Sequence, residues 1–351
     1  MNRSEVYILG NFGYVTNQLD GQTMESRSML ELLQMKNVRL VDYFDTENLH
    51  HKPASQLIMF WGLFKTKRLF YLGCQNNVKY LFPVLWILAK ISRIEFHYFV
   101  VGGWIAEFIK KLPVHRFMLR RINGMYCETE SIVRKLSDWY GYKHAYWFPN
   151  FRIYDFEPEI RFRTEDPLRL VSMSRVTKSK GYEIVFRMAE YIDKILPINS
   201  IIIDFYGPIF ERDKVDFFEH LSRFGFIKYK GILEPEDINI TLATYDAMLF
   251  PTNYPGEGFP GTILDSYISG IPVVASDWKY NAELIIHGQT GFIFDLNQEE
   301  EFYKYVLKLY YDRDLLYKLK LNAYKKSKDF DHNTIWGIIV MRTGLHAGTR
   351  N

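Results

Sequence analysis

Short β-branched and aromatic runs alternate along the whole chain with longer stretches of helix-period pattern. Runs of the first kind lie at Val6–Gly10, Val38–Tyr43, Leu69–Leu72, Ile94–Val101 and Ala145–Phe148. A second series occupies Leu168–Met173, Ile201–Tyr206, Ala247–Phe250, Pro272–Ser276 and Phe292–Phe294. Successive runs are far enough apart for a crossover helix, so both series predict parallel sheets covered by helices on both faces. Between them, residues 149–167 carry no apolar period and pass through Glu157-Pro158-Glu159 and Arg163-Thr164-Glu165-Asp166, which reads as a linker. The expected class is α/β, with two Rossmann-like, doubly wound domains at residues 1–155 and 156–330 that face each other across a cleft. Ligands would lie in that cleft, at the carboxyl ends of the strands. The tail at 331–351 suits a helix packing back toward the first domain, and Gly344 to Asn351 reads as frayed.

Composition narrows the picture. The chain has 351 residues, 48% apolar and 24% charged, an ordinary globular balance. Aromatics at 17% are high and fit aromatic-heavy cores, exposed apolar patches or only an AT-rich genome. Cys74 and Cys127 are isolated, which argues against a disulfide framework or a zinc site and for a reducing cytoplasm. The first ten residues hold too short an apolar run for a signal peptide and read as a strand entering a glycine turn. The most apolar stretch, Val78–Ile91, carries Lys79, Pro83 and Lys90 and is too short to cross a membrane. The net charge of +3 is uneven, because residues 1–150 hold the excess of Lys and Arg. A basic first half suits an anionic partner such as a membrane surface or a diphosphate lipid.

Chemistry concentrates in the second half. After the run ending at Phe250 comes Pro-Thr-Asn-Tyr-Pro-Gly-Glu257-Gly258-Phe259-Pro260-Gly261-Thr262, and a helix is expected to open at Gly261–Thr262. Glycines there allow close backbone approach, and free amides at a helix start attract an anion. Glu257 precedes the turn and Asp265 follows inside the helix, two acceptor groups suited to two sets of sugar hydroxyls with a diphosphate between them. Taken alone, the segment reads rather as a capped helix with two incidental acids.

It is followed by Gly270-Ile271-Pro272-Val273-Val274-Ala275 and Gly288-Gln289-Thr290-Gly291. Together these segments resemble the retaining GT-B glycosyltransferases typified by sucrose synthases, mannosyltransferases and bacterial polysaccharide transferases. That family, glycosyltransferase family 4-like, carries Glu, seven residues, Glu; here the second acid is Asp265, which still accepts two hydroxyl donors. The resemblance implies that Glu257 holds the donor sugar and Asp265 the ribose. Ser174-Arg175-Val176-Thr177-Lys178-Ser179-Lys180-Gly181 matches the loop whose Arg and Lys-Gly grip the donor diphosphate, which assigns Arg175 and Lys180. A departing diphosphate gathers charge that fixed cations and amide dipoles must meet. Ile203–Pro208 and Tyr229–Ile232 resemble the wall beside the base, or are strand ends chosen for packing.

In the first half, Gly10-Asn11-Phe12-Gly13 and Asp20-Gly21-Gln22-Thr23 resemble the family loop that closes over the donor phosphate, and Gly102-Gly103-Trp104 stands where relatives carry a histidine. His97 reads as a packed core residue, so no catalytic histidine is carried over. Lys110, Lys111, Arg116, Arg120 and Arg121, interleaved with Phe117, Met118 and Leu119, suit a peripheral contact with anionic lipid, or the solvated face of a core helix. Asp312-Arg313-Asp314 is expected to cap a helix, and His50-His51 has no partner ligands, so no metal and no cofactor are expected.

The resemblance therefore implies a metal-independent hexosyl transfer with retention. The donor would be a UDP- or GDP-linked sugar and the acceptor a saccharide or lipid-linked saccharide of bacterial capsule or exopolysaccharide. The chain would work in the cytoplasm or at the inner face of the membrane, without nucleic acid. The alternatives are a catalytically silent transferase-like partner subunit, or another GT-B enzyme such as a sugar-nucleotide epimerase or a phosphorylase.

Overall fold

The computed structural model describes residues 3–17, 20–52, 54–163 and 167–348. The chain divides into two compact units, Met1–Ile153 with Phe330–Asn351, and Tyr154–Asp329. Thr164, Glu165 and Asp166 of the expected linker, and residues 349–351 of the tail, lie outside the described residues, as does the side chain of His50.

The first unit is one parallel sheet of six strands: β1 (Ser4–Gly10), β2 (Val41–Asp45), β3 (Thr66–Gly73), β4 (Glu95–Val100), β5 (Gly124–Cys127) and β6 (Ala145–Trp147). Their order is β2-β1-β3-β4-β5-β6, so the chain steps out to β2 and then returns past β1. Helix α1 (Gly21–Met35) joins β1 to β2, α2 (Ser55–Phe64) precedes β3, α3 (Gln75–Ile91) joins β3 to β4, α4 (Pro113–Leu119) precedes β5, and α5 (Glu130–Tyr140) precedes β6. Strand alternation sorts the core. Val6, Ile8, Phe70, Leu72 and Phe99 pack with Met29, Leu32 and Leu33 of α1. Tyr7, Tyr71, Phe96 and Tyr98 point to the other face, where the Tyr7 hydroxyl donates to Met59 O of α2 (3.2 Å) and Phe82 of α3 sits 5.4 Å from Phe96.

The second unit repeats the plan with β7 (Leu168–Met173), β8 (Ile201–Tyr206), β9 (Ile227–Tyr229), β10 (Ala247–Phe250), β11 (Val273–Ser276) and β12 (Gly291–Phe294). The order is β12-β11-β10-β7-β8-β9, again all parallel. Helices α6 (Tyr182–Asp193), α7 (Glu211–Leu221), α8 (Gly261–Ile268), α9 (Glu299–Tyr311) and α10 (Arg313–Ser327) cover it. Asp312 caps α10 by accepting the Leu315 amide (2.9 Å), which accounts for the Asp-Arg-Asp triplet. The last helix, α11 (His332–Thr343), belongs to the first unit, where Ile335 and Ile339 are buried against the β1 face.

Three readings of the pattern need correction. The second strand runs Val41–Asp45 and not Val38–Tyr43, because Asn37 and Leu40 take positive φ (52° and 54°) in the turn before it. Strand β5 went unread because Gly124–Cys127 holds no β-branched residue, and β9 runs Ile227–Tyr229, before the stretch Tyr229–Ile232 read as a strand end. The segment from Gly344 is not frayed at its start: Leu345 is buried, and the Gly348 amide donates to Asn37 O (3.1 Å).

Candidate functional site

In the second unit the strand order reverses between β7 and β10, and these neighbours deliver their following loops to one edge of the sheet. A ligand site forms at such a reversal because the connections on its two sides leave in opposite directions. From β7 the chain passes Ser174 and Arg175, makes a tight turn at Lys178–Lys180, and enters α6 through Gly181. Gly181 has φ +82°, and a Cβ on it would stand 2.1 Å from Pro251 O. Only glycine lets the β7 and β10 loops lie this close. The junction is fastened by the Asn253 amide donating to Ser179 O (2.9 Å) and the Thr262 hydroxyl donating to Met173 O (2.8 Å).

At this junction Lys180 Nζ donates to both oxygens of Glu257, at 2.9 and 2.7 Å. The two side chains are only 10% and 8% exposed. A lone buried ion costs several kcal/mol, so each of these charges is kept by the other. The Thr252 hydroxyl donates to Glu257 Oε2 (2.8 Å), the Ser276 hydroxyl donates to Thr252 O, and Asn281 Nδ2 donates to Ser276 O (3.0 Å). The ring of Tyr254 gathers the cations: Arg175 lies 4.9 Å and Lys180 5.2 Å from its centroid. Trp278 Nε1 holds that residue in place through Tyr254 O (2.6 Å).

Gly258, Phe259, Pro260 and Gly261 connect Glu257 to α8, with Phe259 and Pro260 buried. Pro260 occupies the N-cap of α8 without a side-chain cap, so the helix start keeps its positive end for an external acceptor. Asp265 is buried one turn into α8. Gly270–Ala275 and Gly288–Gly291 brace the helix from behind: the Tyr267 hydroxyl bonds Thr290 Oγ1 (2.8 Å) and donates to Leu284 O (3.2 Å). At the strand ends, the Gly207 amide donates to Gly231 O (2.8 Å) and the Tyr245 hydroxyl to Asp204 Oδ2 (2.7 Å), so these positions are tied to one another. Sequence reasoning missed Thr252, Tyr254 and Ser276. For Thr252 the available signal was a hydroxyl two residues past a buried strand end, a place where a side chain is held but reachable.

The first unit treats its own reversal, between β1 and β3, differently. Gly13 takes φ +64° in the loop after β1. The amides of Phe12 and Tyr14 donate to the Asp45 carboxylate (3.0 and 3.1 Å), and that of Val15 donates to Glu47 (2.9 Å). Arg27 Nε donates to Phe12 O (2.8 Å). A phosphate arriving at Gly13 would have to displace a carboxylate. Gly21 opens α1 behind the Asp20–Thr23 capping box. Gly103 follows Gly102, whose amide donates to Glu128 Oε1 (3.0 Å). His97 is buried in β4 with Nδ1 3.0 Å from the Tyr126 hydroxyl, and burial lowers its pKa, as a core histidine requires.

Glu25 and Glu128 line a cavity of about 20 Å³ with Leu72, Phe99, Tyr126 and Phe148. Burial holds the Glu25 carboxyl well above its ordinary value, the charge of Glu128 and a hydrogen bond to it add to the effect, and Arg152 opposes it. This cavity is water-sized and far smaller than a ligand pocket. Among the described residues, Glu183, Asp216 and His220 bring their ligand atoms within 4.8 Å of one another. The Lys178 ammonium already bonds Glu183 (2.8 Å) and Asp216 (3.3 Å), supplying the positive charge that the acids need.

Residues 154–326, nearly the whole second unit, match the family described as "Glycosyl transferases group 1". This unit is thus a group 1 glycosyl transferase domain. Its curated relatives include the chitobiosyldiphosphodolichol beta-mannosyltransferase of Candida glabrata, 32% identical over 40% of this chain and 30% of that protein. The amylovoran biosynthesis glycosyltransferase AmsK of Erwinia amylovora is 25% identical over 52% of this chain and 42% of its own. The matches thus span less than half the length of these relatives. Among solved structures, Anabaena HepE in complex with UDP-glucose superposes with a TM-score of 0.72 at 17% identity, over 96% of this chain and 98% of that one. The sucrose-phosphate synthase of Thermosynechococcus elongatus gives 0.73 at 12% identity, over 97% and 98%. At such identities the likeness concerns the fold, and the chain carries the GT-B fold. No helix among the described residues is long and apolar enough to cross a membrane.

Proposed function

We propose that this chain moves a sugar from a nucleoside-diphosphate donor to a hydroxyl of a saccharide or lipid-linked saccharide acceptor. The observation that carries the reading is the buried Lys180–Glu257 pair at the strand-order reversal of the transferase unit. Breaking a glycosyl–phosphate bond loads charge onto the departing diphosphate. Arg175, Lys180 and the start of α8 supply fixed positive charge for it, worth most in a dry setting. Glu257, already oriented by Thr252, accepts donor-sugar hydroxyls, and Asp265 accepts the ribose diol. The segment Gly258–Thr262 brings backbone amides to the same place. The cations meet the diphosphate without a metal, and the acceptor hydroxyl attacks the anomeric carbon on the face the diphosphate leaves, passing its proton to that diphosphate, so the configuration is kept.

HepE is described with UDP-glucose and with UDP and glucose, which supports a uridine donor. AmsK is named for amylovoran biosynthesis, which supports surface polysaccharide as the product class. The fungal relative is named for a diphosphodolichol acceptor, which supports a lipid-linked one. Lys110, Lys111, Arg116, Arg120 and Arg121 would then meet anionic headgroups at the inner face of the membrane, and the first unit would carry the acceptor.

A thermal-shift panel of UDP, GDP, ADP and their sugars tests the donor, because a ligand of the folded state raises the melting temperature by mass action. One nucleotide and its sugar should stabilise the protein, and no shift with any of them overturns the reading. The anomeric configuration of the product, followed by proton NMR, tests retention; the fungal relative's beta-mannosyl name makes that measurement decisive. Asp265→Ala should weaken a ribonucleoside diphosphate far more than its 2′,3′-dideoxy analogue, and equal weakening removes Asp265 from the ribose.

A further inference from the structure

The face of the first unit's sheet that carries Tyr7, Tyr71 and Tyr98 is covered by α2 and α3, and α4 packs beside α3 through Trp86 and Phe117 (ring centroids 6.3 Å apart). The outward sides of these three helices are apolar. Leu57 and Trp61 of α2 are 75% and 62% exposed, Tyr80 and Ile91 of α3 are 69% and 73% exposed, and Phe117 of α4 is 51% exposed. Ile87 adds to the row along α3. Single exposed apolar side chains are ordinary; a row of them over three neighbouring helices marks a surface that something covers.

Charge says what covers it. Residues 48–94 contain seven Lys or Arg and no Asp or Glu, and residues 108–127 contain five and none. These acid-free stretches include α2, α3 and α4 entire. Their cations stand beside the aromatic rings of the same surface: Lys79 over Tyr80 (5.1 Å), Lys90 over Trp86 (5.9 Å) and Arg121 over Phe117 (3.6 Å). A second copy of the chain would set this positive face against itself, which like charge opposes. An anionic bilayer satisfies both features, with lipid phosphates for the Lys and Arg heads and acyl chains for the apolar row.

We propose that α2, α3 and α4 form a monotopic membrane seat, with Trp61, Tyr80, Ile87 and Ile91 entering the acyl boundary of an anionic leaflet. The inference rests on the reading of the α4 cations as a headgroup contact and adds the apolar surface that holds the protein there.

The test is flotation of the full chain with phosphatidylcholine vesicles, with and without phosphatidylglycerol, in the absence of any sugar donor. The wild type should float only with the anionic vesicles. Trp61→Ser with Ile87→Ser should reduce the bound fraction about tenfold, since burial of apolar side chains and charge attraction both set such affinities. Lys79→Glu with Lys90→Glu should abolish binding. These side chains are exposed, so melting temperatures should stay near wild type. A wild-type chain that ignores anionic vesicles overturns the seat and the headgroup contact together. An apolar double variant that binds like wild type overturns the seat and leaves the headgroup contact standing. A wild-type dimer in sedimentation velocity that the apolar variant splits assigns the surface to a second copy and also overturns the seat. Donor turnover on a soluble acceptor is measured separately and does not depend on any of these results.

Discussion

The two strand-order reversals use the same backbone plan and fill it with opposite chemistry. In the first unit the loop after β1 is closed by the protein's own carboxylates: Asp45 and Glu47 take the amides of Phe12, Tyr14 and Val15. In the second unit the loop after β7 brings Lys180 to a single carboxylate, Glu257, and Arg175 to the ring of Tyr254, beside an uncapped helix start. A carboxylate that already holds backbone amides builds a rigid loop and repels an incoming phosphate. A cation held by one buried acid stays in place before the ligand comes and can share its charge when the ligand arrives. The lesson is that a glycine turn at a strand end is only a place, and the charges closing it decide whether an anion is welcome there.

The largest effect expected from breaking this contrast comes from Lys180→Met. It leaves Glu257 buried without its cation, which costs about 3–5 kcal/mol. Thermal melting should show a large drop, and Lys180→Met with Glu257→Gln should recover most of it. Neither protein should turn over donor, and recovery of stability together with turnover would remove the pair from the chemistry. Next comes Gly181→Ala, which forces a methyl toward Pro251 O and a side chain into positive φ, at about 1–3 kcal/mol. The loops it joins should loosen, seen as faster amide exchange at Asn253 with weaker nucleotide binding. A stable variant with unchanged affinity would mean that the close approach of the loops is incidental.

Asp45→Asn acts on the other side of the comparison. Weakening the charge-assisted bonds that Asp45 accepts from the amides of Phe12, Tyr14 and Glu47 should cost about 1.5–3 kcal/mol in a denaturant titration. Affinity of the second unit for free nucleotide should not change, and a parallel loss of affinity would join the two loops into one site. The smallest effect belongs to Glu25→Gln. The folded protein keeps a proton on Glu25 that the unfolded chain releases, so that stabilisation is present at acid pH and fades as pH rises toward the raised value. At acid pH the substitution should be neutral within about 0.5 kcal/mol. As pH rises the variant should become increasingly more stable than wild type by melting temperature, and parallel pH profiles would show that the Glu25–Glu128 contact holds no proton.

Much of this was legible in the residues. The alternation of strand-like and helix-like runs placed ten of the strands, because six of the ten span four or more buried positions in succession and the remainder end at strong turns. The Glu257-Gly258-Phe259-Pro260 segment and the Arg175–Gly181 loop stood out because glycine and charge at a buried strand end have few purely structural uses. Thr252 and Ser276 were not legible. A hydroxyl near a strand end looks the same whether it faces water or a protein oxygen, and only the pairing of β10 with β7 and β11 brings Thr252 to Glu257 and Ser276 to Thr252.

The sequence by itself determined the α/β class, the family of the second unit and the residue types at its strand ends, because periodicity and glycine spacing are local properties of the chain. Tertiary structure alone decided which charges meet. Lys180 and Glu257 are 77 residues apart, and Asp45 lies 33 residues from the Phe12 amide it accepts. No local rule joins such groups; the strand order does, by setting two loops on one edge where burial makes their charges inseparable.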